Sequence, residues 1–182
     1  MIKRDWILYY VVAPERTYRS KVIQSWDTAS KDGAQNDWSV CTTWIVIDKH
    51  FYLLDLTRGR YDYPRLLNTA IALAERFKPD TILIEDASTG SPLAQELKQA
   101  GHFAVRAVPV ERNKVVRLFV QQAKFESGRV LFPKDAPFLP ALEAELLSFP
   151  QSKTDDQVDS ISQALNYGAS PYGYDTTMSW VE

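Results

Sequence analysis

The order of strand-like and helix-like patterns constrains this chain most. Residues 22 to 27 (VIQSWD), 38 to 48 (WSVCTTWIVID) and 51 to 57 (FYLLDLT) carry the β-branched, aromatic and apolar residues that strands favour, with no helical period between them. The polar stretch TASKDGAQND separates the first two as a loop, and Asp48-Lys49-His50 turns the second into the third as a hairpin. Beyond them the pattern alternates. Leu66, Leu67, Ala70, Ile71, Leu73, Ala74 and Phe77 recur at helical spacing, with Asp62 as N-cap and Pro79 as stop. DTILIED (80 to 86) is a buried strand, and SPLAQELKQAG a short helix capped by Ser91 and ended by Gly101. Residues 103 to 110 form a strand, and NKVVRLFVQQAKFESG is a helix between an Asn113 cap and Gly128. A short extended piece at 130 to 132 and helices over 137 to 148 and 155 to 167 complete the order β-β-β-α-β-α-β-α-β-α-α. This predicts an α/β domain: a mixed sheet, antiparallel in its first three strands and parallel afterward, flanked by helices.

At 182 residues the chain has the length of one domain, and 45% hydrophobic with 24% charged residues is an ordinary globular composition. The expected division is an extension or linker over 1–21, the folded domain over 22–168 and a flexible tail over 169–182. One cysteine, Cys41, excludes a disulfide framework, and with only His50 and His102 a zinc site of the usual ligands is short of donors. The cysteine reads as a small buried hydrophobe, the histidines as surface residues, and Trp26, Trp38 and Trp44 as core or sheet-face aromatics. Neither a phosphate-binding P-loop nor a dinucleotide fingerprint occurs among the seven glycines. No apolar run reaches the roughly 18 to 20 residues that a bilayer span requires, so no membrane partner is expected.

The net charge of −2 conceals an uneven distribution. Residues 1–105 hold thirteen basic and thirteen acidic side chains, 106–134 hold seven and two, and 135–182 hold one and eight. A basic segment beside an acidic one suits an enzyme that grips a polyanion with one part and cations with another. Acids also fall at segment ends. Asp27 closes the first predicted strand, Glu85 and Asp86 close the fourth, and Asp155, Asp156 and Asp159 open the final helix. If the first and fourth strands are parallel neighbours, their carboxyl ends meet where open α/β sheets place their sites. Converging carboxylates raise each other's pKa unless cations neutralise them, and oxygen-only ligands select magnesium or manganese. Two such ions about 3.5 to 4 Å apart serve hydrolysis of a phosphodiester. Arg112, Lys114, Arg117 and Lys124 are the expected phosphate contacts, with Lys114 and Arg117 on one helix face.

With these motifs in place, the chain resembles the C-terminal nuclease domain of the large terminase subunit of tailed bacteriophages, a ribonuclease H-like fold. The resemblance rests on VIQSWDTASKDGAQNDWSV around Asp27, ILIEDASTGSPLAQEL around Glu85, the basic helix from Lys114, and KTDDQVDSISQAL around Asp156. It implies a DNA endonuclease with two divalent ions, Mg2+ or Mn2+, that cuts concatemeric double-stranded viral DNA during genome packaging. Asp27, Glu85 and Asp156 are then the catalytic acids. The metal ligands are Asp27, Glu85 and the Asp155–Asp156 pair, with Asp86 and Asp159 as supporting acids. The implied partners are an ATPase domain or subunit, the small terminase subunit and the portal, in the cytoplasm of a bacterial host. Two other readings share these residues: a Holliday-junction resolvase or transposase-like nuclease of the same fold, and a noncatalytic binding module.

Within the final cluster, helical geometry and the resemblance point to different residues. Val158, Ile161 and Leu165 mark a buried face; Asp155 lies near its edge, Asp159 farther round and Asp156 almost opposite. A wheel alone selects Asp155. The resemblance favours the second member of the pair, Asp156, and Thr154 as helix N-cap would let first-turn residues project forward.

Overall fold

A tight turn sets the central hairpin. The computed structural model describes residues 1–29, 38–87, 89–101, 104–109 and 113–169. Asp48 and Lys49 both adopt positive φ, 47° and 65°, so the two-residue turn matches the twist of the strands it joins. Those strands are β3 (Ser39–Ile47) and β4 (His50–Gly59), and His50 pairs with Ile47 as the first rung. On the other side of β3 lies β2 (Lys21–Asp27), antiparallel, with Asp27 opposite Val40. Helix α1 (Tyr63–Phe77) then crosses over, its N-terminus capped by the Asp62 carboxylate, which accepts a hydrogen bond from the Arg65 amide at 2.9 Å. The chain returns as β5 (Thr81–Glu85), parallel to β2, and after α2 (Gly90–Gln99) as β6 (Val105–Val108), parallel to β5. Helix α3 (Lys114–Glu126) is capped by Asn113 as predicted and ends at Gly128, with φ 71°. Strand β7 (Val130–Pro133) and helices α4 (Leu139–Ser148) and α5 (Asp156–Ala169) follow.

With β1 (Leu8–Tyr10) at one edge, the seven strands lie in the order β1-β7-β4-β3-β2-β5-β6. The sheet is mixed as expected, antiparallel over β2, β3 and β4 and parallel elsewhere, and is flanked by helices. Among the described residues no helix is long and apolar enough to cross a membrane. Residues 1–21, expected as an extension or linker, contribute β1 (Leu8–Tyr10) at the sheet edge, where Leu8 pairs with Leu131 of β7. Ile2 and Ile7 are buried in the core. A three-residue strand whose partner lies more than a hundred positions away leaves no local period to detect. The expected cap of α2 also moves: Gly90 begins the helix after Thr89, whose hydroxyl donates to Ala29 O at 2.7 Å, and Ser91 lies inside the first turn.

Each face of the sheet is covered. Trp26, Cys41, Ile82 and Ile84 pack with Leu66, Leu73, Leu93 and Leu97 of α1 and α2. On the opposite face Trp44, Phe51, Leu53 and Phe132 meet Phe125, Leu142, Leu146, Ile161 and Leu165 of α3, α4 and α5. Trp26 and Trp44 are fully buried, as a core reading requires. Helix α5 contacts β2 and β3 through small polar groups. The Ser25 hydroxyl donates to Ser160 O at 2.7 Å, Ser160 Oγ donates to Ser25 O at 2.7 Å and lies 2.7 Å from Thr42 Oγ1, and Gln163 Nε2 donates to Ser25 Oγ at 2.9 Å.

Candidate active site

Strand pairing brings the first two acids together. Trp26 is in register with Ile84, so Asp27 and Glu85, one residue further along parallel neighbours, end side by side at the carboxyl edge of the sheet. Asp27, Val40 and Arg58 form one cross-strand row over β2, β3 and β4 and therefore share a face. The start of α5 stands over this edge and adds Asp156 and Asp159. The Asp27 carboxyl is pushed well above the usual carboxylate range, first by burial and then by the charges of Asp159, Glu85 and Asp156. It makes no hydrogen bond or ion pair with any described residue.

The other acids are tied to cations of α3. Arg117 Nη1 lies 3.1 Å from Glu85 Oε1, and its Nη2 lies 2.5 Å from Asp159 Oδ1. Lys114 Nζ sits 2.9 Å from Asp155 Oδ1 and 2.6 Å from Asp159 Oδ2. Burial raises the pKa of Asp159 even though Arg117 and Lys114 pull it down. Lys114 and Arg117 share a helix face, and that face is turned toward the carboxylates of Glu85, Asp155 and Asp159. Only 11% of the Arg117 side chain is exposed, against 44% for Lys114.

A second cation serves Asp156. Arg58 Nη2 lies 3.6 Å from Asp156 Oδ2 and 3.2 Å from Thr154 Oγ1, and its guanidinium stacks on the Trp38 indole, 4.3 Å from the centroid. Arg60 stacks on the same ring at 4.5 Å, so Trp38 has a cationic environment unlike the core position of Trp26 and Trp44. Burial first, and then the Glu145 and Asp155 charges, lift the Asp156 carboxyl from 3.8 to about 6 against the pull of Arg58.

Thr154 is not the N-cap of α5. The amide of Asp159 donates to Asp155 O, which places Asp155 at the cap position, and the Thr154 hydroxyl donates instead to Glu145 Oε2 at 2.9 Å. The exposed amides at the helix start are taken by Glu145 of α4, which is 5% exposed: its Oε1 accepts from Gln157 N at 2.9 Å and Val158 N at 3.2 Å. An anion at a helix N-terminus is favoured both by these donors and by the helix dipole. Nothing in the spacing of the sequence ties Glu145 to residues 157 and 158.

Asp27, Glu85, Asp156 and Asp159 thus converge, and Asp155 joins them through Lys114. Asp86 does not join: its side chain is exposed and makes no ion pair among the described residues. Lys124 lies further along α3, where it donates to Gln121 Oε1. Arg112, His102, Met178 and Trp180 lie outside the described residues, as does 170–182 of the expected tail. His50 is half-buried with Nδ1 3.1 Å from Asp48 O, and Cys41 is buried. In kind, the donor set suits a hard divalent ion, since it consists of carboxylate oxygens from β2, β5 and α5 around a half-buried acid that makes no ion pair with any described residue. In spacing it is not yet closed: among the described residues no three His, Cys, Asp or Glu groups stand close enough to hold one ion. Arg117 and Lys114 link the acids instead.

Fold and site together define a ribonuclease H-like domain with its acids at the carboxyl edge of a mixed sheet. The chain belongs to the terminase RNaseH-like domain family, whose pattern matches residues 24–167. Similar solved structures include the large terminase nuclease from thermophilic phage G20c with bound zinc, at 19% identity and a TM-score of 0.65, covering 94% of this chain and 96% of that one. The human cytomegalovirus terminase nuclease domain, soaked with manganese and bound to an inhibitor, aligns at 12% identity and TM-score 0.68 over 95% and 97% of the two chains. A large terminase from another thermophilic bacteriophage aligns at 13% identity and TM-score 0.64, with 91% of this chain spanning 43% of that one. No curated protein sequence matches the chain.

Proposed function

We propose that this chain is a divalent-metal-dependent DNA endonuclease of a viral terminase, cutting concatemeric DNA during genome packaging by phosphodiester hydrolysis. One observation carries the reading: the half-buried Asp27 is gathered with Glu85, Asp156 and Asp159, makes no ion pair with any described residue, and feels these like charges against the pull of Lys114, an arrangement that costs stability until more positive charge arrives. Asp27, Glu85 and Asp156 would hold two Mg2+ or Mn2+ ions, with Asp155 as a nearby ligand and Asp159 oriented behind them. Ions held by these residues would supply activation of the attacking water and stabilisation of the leaving oxygen. The chain's own part is to fix the acids at three separate segment ends. Family membership supports the same role, and the manganese named for the cytomegalovirus relative is of the class this donor set accepts. Duplex DNA, an ATPase domain or subunit, the small subunit and the portal are the partners this role requires, and the host cytoplasm is its location.

The test is cleavage of supercoiled plasmid. Nicking and linearisation should require Mn2+ or Mg2+ and stop with chelator. Asp27→Asn and Glu85→Gln should lose cleavage while keeping the wild-type far-ultraviolet spectrum. Among the α5 acids, damage should follow the order Asp156, Asp155, Asp159 in the corresponding asparagine variants. Normal cutting by the Asp156 variant with a dead Asp159 variant overturns the ligand assignment, and full activity of the Asp27 or Glu85 variant overturns the function.

A further inference from the structure

The two α3 cations differ in how firmly they are held. Arg117 bridges Glu85 of β5 and Asp159 of α5, is nearly buried, and has its Nε enclosed without a partner, so its removal would open the helix–sheet junction. Lys114 occupies the first position of α3, is almost half exposed, and reaches both of its carboxylates with a single flexible stem. Its ammonium lies between Asp155 and Asp159, and its charge acts on the proposed metal ligand Asp27. A divalent ion entering that region and the ammonium would stand a few ångströms apart in a partly desolvated site, where like charges repel strongly.

We propose that Lys114 is a built-in competitor of the divalent ion: its ammonium holds the metal-free acid cluster together and must swing out to solvent as the metal enters. The inference rests on the metal-dependent reading above and deepens it. Three observations support the exchange. The acids are not spaced to hold an ion while the cation bridges are in place. The lysine has open solvent on one side into which to withdraw. Arg58 remains within 3.6 Å of Asp156 and needs no rearrangement of α3. Arg117 stays, because it joins two elements and lacks an exit. On release, the Lys114 ammonium is left at the mouth of the site, free for a phosphate of the substrate backbone. Metal loading and substrate contact would thereby be coupled through one side chain.

Manganese binding, followed by the electron paramagnetic resonance signal of free Mn2+, tests this without any cleavage assay. Wild-type protein, Lys114→Gln and Lys114→Arg are titrated at one pH and ionic strength. Lys114→Gln should bind Mn2+ about five-fold more tightly than wild type, the scale of losing a half-exposed ion pair. Lys114→Arg, which keeps the charge, should not gain affinity. In a second measurement on the wild-type chain, Mn2+ should raise the rate at which an amine-directed acylating reagent labels Lys114, read by peptide mass spectrometry. If both proteins bind Mn2+ and the glutamine variant binds equally or more weakly, or if metal leaves Lys114 labelling unchanged, the competitor role is wrong while the metal site stands. If neither wild type nor Lys114→Gln binds Mn2+, both the inference and the reading beneath it fall.

Discussion

Replacing Asp156 by asparagine removes a charge that the metal-free fold holds at a cost. Burial and the neighbouring Glu145 and Asp155 charges raise its carboxyl from 3.8 to about 6, even with Arg58 at 3.6 Å. A raised carboxyl means that the folded state binds the proton more tightly than the unfolded chain does. The group's stabilising share is therefore fully present below about pH 4 and is lost as pH rises through about 6. The full difference corresponds to about 3 kcal/mol at neutral pH. Because 23% of the side chain is exposed, about 1 to 3 kcal/mol is the expected range. For a chain of this size each kcal/mol moves the melting temperature by roughly 2 to 4 °C. Asp156→Asn, melted in chelator at pH 7.5, should therefore gain about 2 to 12 °C over wild type by these scales. At pH 4 the gain should vanish, and added Mn2+ should stabilise wild type more than the variant. Differential scanning calorimetry at the two pH values measures each of these. A variant no more stable than wild type at pH 7.5, or a gain that persists unchanged at pH 4, would refute the electrostatic argument.

Two further substitutions probe the supports of the site. Glu145→Gln removes the charge under α5 and, if its amide oxygen keeps the Gln157 and Val158 amides, sets an NH2 group where Oε2 accepts from the Thr154 hydroxyl and Gln157 Nε2; urea denaturation should show a loss of about 1 to 3 kcal/mol. An unchanged midpoint would remove Glu145 as the organiser of that helix start. Gly90→Ala would bring a Cβ to 2.2 Å from the backbone oxygen of Glu85, so the strand end must shift. Expected are a loss of about 1 to 3 kcal/mol and weakened plasmid cleavage, measured side by side.

The strands and helices of the domain are legible because their patterns are local: the β-branched and aromatic run in WSVCTTWIVID, the period of α1, and the caps Asp62 and Asn113. The convergence of Asp27 and Glu85 follows from placing two parallel strands side by side. What escapes the sequence depends on contacts between distant segments. A helical wheel puts Asp159 away from the buried face because it assumes one covered side, whereas α5 lies between the sheet and α3 and keeps Asp159 at 4% exposure. Lys114 and Arg117 resemble a solvated basic face, since no local signal shows that the acids of α5 stand opposite. Arg58 falls in an ordinary strand, and its place beside Asp156 depends on a register shift at Thr43/Trp44 within the hairpin. Glu145 looks like a surface acid of α4 because its partners are the backbone amides of a different helix.

The contact between Ser25, Thr42, Ser160 and Gln163 bears on how accurately the acids are placed. Two greasy surfaces tolerate small sliding, because apolar contact has no preferred direction. Paired hydroxyls and carbonyls have one alignment, and displacing α5 by a single helical turn of about 5.4 Å would break every one of them. Their slenderness also lets the helix backbone ride close to the strands. The seam thus acts as a ruler for the nuclease edge: it sets both the height of Asp156 and Asp159 above β2 and their position along it. Substituting valine for one serine would leave all the carboxylates chemically intact while lifting the surface on which they are mounted.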